Sequence, residues 1–226
     1  MNSYSFQQNC RPRGDFRIGE LIEFFSLMKE AFRFPILYAK GSKPVGISTE
    51  NLHEIFAKKI DNEFPGIGVN VDFFSIAPRN RDDNTVRFEI HTGTHPDEIF
   101  IDTYDISIGA AGKVPDLSYF RKSIAVLEPF EAYISEFKNE SALNSFDRQQ
   151  AIPKFDKPAI IRGFHYLDEF MATSIGGIYY CLNAPAWRVE RFCDGVLIQL
   201  VEGLFNSDNP AHLETQQAAM EYFGLW

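Results

Sequence analysis

The chain has 226 residues and a net charge of −9, with 45% apolar and 23% charged residues, an ordinary balance for a globular protein. That length suits one large domain or two small ones, either able to bury a substantial core. The acidic balance argues against unaided nucleic-acid binding, because affinity for a polyanion comes from Lys and Arg displacing counterions, and it fits a protein that covers a basic surface.

Residues 1–15 are polar, carry Pro12 and Gly14, and read as a loose lead-in without an apolar leader. Ile18, Leu21, Ile22, Phe25, Met28 and Phe32 follow helical spacing, with Asp15 placed to cap the start and Pro35 beyond the end. A second helix is signalled by Ser48 as cap, Glu50 in the first turn, and Leu52, Ile55, Phe56 and Ile60 on one face; Pro65 and Gly66 close it. The period then changes to two. GVNVDFFSIA (68–77), TVRFEIHTG (85–93) and EIFIDTYDISIG (98–109) read as an antiparallel meander with one wet face, the last alternating through Ile99, Ile101 and Thr103 and then Ile106 and Ile108.

A third helix starts after Asp116, with Leu117, Phe120, Ile124 and Leu127 sharing a face and Pro129 following. Residues 130–137 are a strand, and 138–158 are polar, with two prolines, the best linker or long loop. Strands are expected around AIIRGF (159–164), GGIYYCLN (176–183) and GVLIQLVEG (195–203), with Asp194-Gly195 as a turn. Asn209 as cap and Pro210 at the first helical position start a final helix to about Phe223. The expected class is α+β: antiparallel sheet with helices packed on one face, in one domain or two small subdomains. The parts are an N-terminal one over 16–137, the linker over 138–158 and a C-terminal one over 159–226.

Cys10, Cys181 and Cys193 make neither a disulfide framework nor a CxxC knuckle, and Cys181 sits in an apolar run as a buried thiol. No stretch approaches the ~18 apolar residues that cross a bilayer, so the expected setting is the reducing cytoplasm, with no membrane partner. Among 22 Phe, 9 Tyr and 2 Trp most rings must be core, leaving a few as interface anchors.

The most metal-like stretch is His91-Thr-Gly-Thr-His95-Pro-Asp97, yet Gly93 and Pro96 oppose the helix that would bring His91 and His95 together, so a solvated turn is the plainer reading. Asp72, Asp102 and Asp105 have no lysine at nuclease-like spacing and read as charges on a wet sheet face. G-x-S-x-G, the P-loop, HExxH and GxGxxG are all missing. His165 and His212 are single histidines beside aromatics and read as packed side chains. No cofactor and no catalytic residue is expected.

One region carries a resemblance. GFHYLDEF (163–170), IYYCLNAPAW (178–187), DGVLIQLVEGLFNSDNPAHL (194–213) and TQQAAMEYFGLW (215–226) resemble the immunity protein 52 family, found beside polymorphic and type VI-delivered bacterial toxins. Its glycine-led strand, the phenylalanine before an Asn-Pro-x-His helix start, and the small-apolar terminal run fall here on Gly195, Phe205, Asn209, Pro210, His212 and Gly224-Leu225. Upstream, residues 106–135 are similar to that family's strand, loop and helix, with Leu127-Glu128-Pro129 where the family has Trp-Asp-Pro.

The resemblance implies a cognate inhibitor without chemistry of its own, facing a toxin with a restriction-endonuclease-like nuclease domain. An acidic partner suits the Lys and Arg that line a nuclease site. The contact residues expected on that reading are the loop acids Asp82, Asp83, Asp97, Glu98, Asp168, Glu169 and Asp208, with Trp187 in NAPAW as aromatic anchor. The alternatives are a small metal-dependent hydrolase using His91, His95 and Asp97, and a non-catalytic adaptor.

Overall fold

A computed structural model of the protein describes residues 3–11, 18–33, 37–40, 43–46, 48–54, 69–76, 85–92, 102–108, 114–136, 138–139 and 157–225. The chain divides into two compact units, Gln8–Pro129 with Met1, and Asn2–Gln7 with Phe130–Trp226. The fold is α+β.

Unit 1 takes its strands in the order β3-β2-β4-β5-β6: β2 is Leu37–Lys40, β3 Lys43–Gly46, β4 Val69–Ile76, β5 Thr85–Thr92 and β6 Asp102–Ile108. The expected meander is present, antiparallel throughout, with Val71 opposite Ile90 and Phe88 opposite Ile106. The face of β6 differs from the alternation read through Thr103. Tyr104, Ile106 and Ile108 are buried and Thr103 is only half-buried, because the large ring at 104 sets which parity meets the core. The β2–β3 pair, Leu37 opposite Gly46, is an antiparallel ladder that no period in the sequence announced.

Among the described residues this unit has two helices of more than two turns. Helix α1, Ile18–Phe32, buries Leu21, Phe24, Phe25 and Met28 on one stripe, and the Phe24 ring lies 6.2 Å from Tyr104 of β6. Helix α2, Leu117–Leu127, is capped by the Asp116 carboxylate, which accepts from the Ser118 N–H at 2.8 Å. It ends where Glu128 turns left-handed at φ 45° with Pro129 behind it. Residues 49–54 are also helical: Ser48 and Asn51 exchange side-chain and backbone hydrogen bonds, a reciprocal cap, while the rest of that expected helix lies outside the described residues. So do Asp15 and Pro35.

Within the N-terminal lead-in, residues 4–10 form a strand. β1, Tyr4–Cys10, belongs through Gln7 to unit 2 and from Gln8 to unit 1. Its polar look concealed it. Gln8 and Asn9 are buried because each finds a partner: Gln8 Nε2 donates to Ser123 Oγ of α2 at 2.7 Å, and Asn9 Oδ1 accepts from the Thr103 hydroxyl at 3.3 Å.

Unit 2 runs β7-β8-β10-β9, antiparallel, with β7 Glu131–Glu136, β8 Phe164–Leu167, β9 Arg188–Phe192 and β10 Gly195–Gln199. β7 was expected with the N-terminal part; it sits here because it pairs with β8, Tyr133 opposite His165. Of the expected 138–158 linker, residues 140–156 lie outside the described residues. Every residue of β7, β8 and β10 is buried, so both faces are covered, whereas β9 is the half-exposed edge.

Two expected strands are corrected. Of residues 159–164 only Phe164 is in a strand, as the start of β8; 159–163 precede it as a largely buried connection, because side chains of helix α5, Pro210–Tyr222, take the backbone of Ile161: its N–H meets Met220 Sδ at 3.1 Å and its carbonyl accepts from Gln216 at 2.9 Å. The expected strand 176–183 is instead the single-turn helix α4, Ile178–Cys181. Gly176 and Gly177, at φ 115° and 90°, turn the chain sharply after helix α3, Glu169–Ser174, and the Gly177 carbonyl accepts from Cys181 N–H at 2.9 Å. A side chain at 176 would also strike the Tyr180 ring. Cys181 is buried as expected, and burial pushes its thiol up to about 11.

Candidate functional site

The residues that carry the family resemblance are architectural. Gly195 opens β10 after the tight Cys193-Asp194 connection, and a Cβ there would lie 2.0 Å from the Leu167 carbonyl oxygen. Gly163 leaves room for Phe205, whose Cβ would be 2.3 Å away. Asn209 accepts from Ala211 N–H at 3.1 Å and caps α5, with Pro210 at its first position. His212 Nδ1 accepts from Asn206 N–H at 3.0 Å while its ring lies 5.7 Å from Phe205. Together these groups fix the turn before α5 against the strands.

The helix it leads into, α5, forms one wall of a groove of about 670 Å³ through Ala211, His212, Glu214, Thr215 and Ala218. The opposite wall is the loop that ends in Pro185, Ala186 and Trp187, and the floor is Leu200 and Val201 beyond β10. The Trp187 N–H donates to the Leu200 carbonyl at 3.0 Å, which pins the loop, while its side chain is 51% exposed. Small residues at 211 and 218 of α5 keep the groove open. Its charged lining residues are Glu202 and Glu214, both exposed and without an ion-pair partner among the described residues. No Lys or Arg lines it.

The expected contact acids are distributed differently. Asp82, Asp83, Asp97 and Glu98 lie outside the described residues. Asp168 is a correction: at 3% exposure it is no surface acid but the cap of α3, accepting from Met171 N–H at 2.8 Å. Glu169 is exposed in the first turn of that helix. Asp208 is exposed and paired with Lys138, whose ammonium it holds above the usual lysine range through that hydrogen bond. Of the four expected contacts among the described residues, only Trp187 lines the groove, and Glu202 and Glu214 were not singled out.

The large apolar side chains exposed among the described residues, Phe170, Tyr179, Tyr180, Trp187 and Leu213, all belong to unit 2. Three lie around α4 and its neighbours rather than in the groove. Tyr180 stacks on Tyr222 at 4.4 Å, and each hydroxyl donates to the other residue's carbonyl, at 2.6 and 3.0 Å. Arg191 sits 5.5 Å over the Tyr179 ring.

The histidines follow the same logic of satisfied groups. His165 is fully buried; its Nδ1 accepts from Arg162 N–H at 3.2 Å, so Nε2 carries the proton toward Glu131 Oε1 at 3.0 Å. Arg162 lies 3.6 Å over Tyr133, and Tyr133 meets the His165 ring edge-on. His91 sits in β5 opposite Asn70 and Thr103, while His95 and Asp97 lie outside the described residues. Among the described residues no group of three His, Cys, Asp or Glu is placed to hold a metal ion, and no helix is long and apolar enough to cross a membrane.

No family model and no curated protein matches the chain. Among solved structures it is similar to the T6SS protein PA0821 of Pseudomonas aeruginosa, with a TM-score of 0.59 and 11% identity over 100% of this chain and 73% of that one. The likeness is one of fold.

Proposed function

We propose that the chain is a non-catalytic inhibitor in a type VI secretion setting, a protein that binds a toxin and neutralises it by occlusion. The observation that carries this reading is the Trp187 groove of unit 2: a half-exposed indole, two carboxylates without an ion-pair partner among the described residues, and no Lys or Arg in the lining. Such a surface leaves charge and an aromatic ring available to another molecule, while His165 has both ring nitrogens engaged and His212 its Nδ1. The fold likeness to a T6SS protein and the resemblance of residues 163–226 to the immunity protein 52 family support the same reading. A net charge of −9 favours a toxin with a cationic face, as a nuclease has, because opposite fields speed encounter.

The test is co-expression with the toxin encoded beside this chain's gene. Restored growth and a stoichiometric complex by size exclusion are expected. The absence of both, or a turnover rate that one side-chain exchange abolishes without altering the fold, would overturn it.

A further inference from the structure

The groove also says what part of the partner it takes, an inference that rests on the inhibitor reading above. We propose that it holds an arginine-bearing segment of the toxin, the guanidinium lying on the Trp187 indole and flanked by the Glu202 and Glu214 carboxylates. Three observations lead there. The lining carries two carboxylates and no Lys or Arg, its one imidazole being His212, whose Nδ1 is taken by the Asn206 N–H, and Arg188, next to Trp187, is already paired with Glu190 at 2.7 Å. The indole is half exposed, and among the described residues no ring or cation covers its face. The remaining lining is largely small or aliphatic, matching the apolar stem of a long basic side chain. Arginine fits better than lysine because its planar, weakly hydrated guanidinium stacks on an aromatic face and still donates in-plane to carboxylates.

The same molecule shows what an occupied version looks like: Arg191 over Tyr179 and Arg162 over Tyr133. Trp187 is the counterpart without its cation.

The probe is tetra-arginine amide, titrated against the full chain carrying Trp226→Phe, so that Trp187 is the sole source of indole fluorescence. Saturable quenching is expected, weakened about three- to thirtyfold by Trp187→Leu when binding is read by calorimetry. Glu202→Gln with Glu214→Gln is expected to weaken it about three- to tenfold and to flatten its salt dependence. Glu23→Gln with Glu221→Gln removes the same charge elsewhere and is expected to change it less than twofold. Equal losses in the two double variants would mean that net charge, not the groove, binds the peptide, and would overturn the assignment. So would tetralysine amide binding as tightly, or no quenching at all. The toxin separates the two readings. If it is still neutralised when Trp187, Glu202 and Glu214 are all replaced, the groove assignment falls and the inhibitor reading stands. If even the unaltered chain neutralises nothing, the inhibitor reading itself falls.

Discussion

Two acidic settings in unit 2 use the same side chain to opposite ends. Glu131 is buried, and its carboxylate meets His165 Nε2 at 3.0 Å on a ring whose other nitrogen is also engaged. Glu202 and Glu214 stand exposed beside Trp187, with no ion-pair partner among the described residues. The first setting has spent its hydrogen-bonding capacity on the fold, whereas the second retains it for another molecule. A polar group deep in the protein must be satisfied to be tolerated, so saturation there marks structure; lack of a partner at the surface costs nothing and leaves binding capacity.

Exchanges on the buried side should move stability most. His165→Leu removes the imidazole hydrogen bond to the buried Glu131 carboxylate and is expected to cost about 1.5–3 kcal/mol in urea unfolding. A cost below about 1 kcal/mol would mean that the pair does not hold this unit together. Gly195→Ala comes next, at about 1–3 kcal/mol, because the new methyl meets a backbone oxygen that cannot swing aside. Asp168→Ala removes a helix cap and should cost about 1 kcal/mol with no change in toxin association rate; slowed association in a fully folded variant would return Asp168 to a surface role.

Trp187→Ala should leave stability within about 0.5 kcal/mol and instead shorten the lifetime of the toxin complex, measured by surface plasmon resonance. Loss of the fold would place this indole among the core residues despite its exposure. The smallest effect concerns the thiols. Cys181 is buried and held protonated up to about 11, against an ordinary 9, so its share of stability is complete below pH 9 and is lost as pH rises toward 11. Cys181→Ser should flatten the unfolding midpoint across that window, and a thiol reagent near neutral pH should label exposed Cys193 first.

Elements whose instructions are local were legible. Asp116, and Asn209 with Pro210, announce helices because a cap acts within three residues of itself, and the three-strand meander follows from alternation. Legibility stopped where distant segments decide. β1 reads as polar until Ser123 and Thr103 arrive to satisfy Gln8 and Asn9. The run IYYC has strand-forming residues, yet two glycines with positive φ and the Tyr222 ring settle it as a helix. Leu213 falls in helical register with Gln216, Met220 and Phe223, which are buried, and is nonetheless 41% exposed near the start of α5.

The candidate site divides along the same line. Trp187 was singled out because a proline-flanked loop is a common place for an exposed ring, and its side chain is exposed. The acids beside it were not, and Asp168 was misplaced, because an Asp before a helix looks alike in sequence whether its cap is wet or buried.

By itself, the sequence determined the α+β class, the helix starts at Asp116 and Asn209, the buried thiol of Cys181 and the acidic balance. Each follows from composition or from interactions spanning a few residues. The tertiary structure alone decided which carboxylates are consumed and which are offered. Exposure depends on what the rest of the chain brings alongside: Phe130 to Asp168, Leu200 to Trp187 and, among the described residues, no ion-pair partner to Glu202 and Glu214.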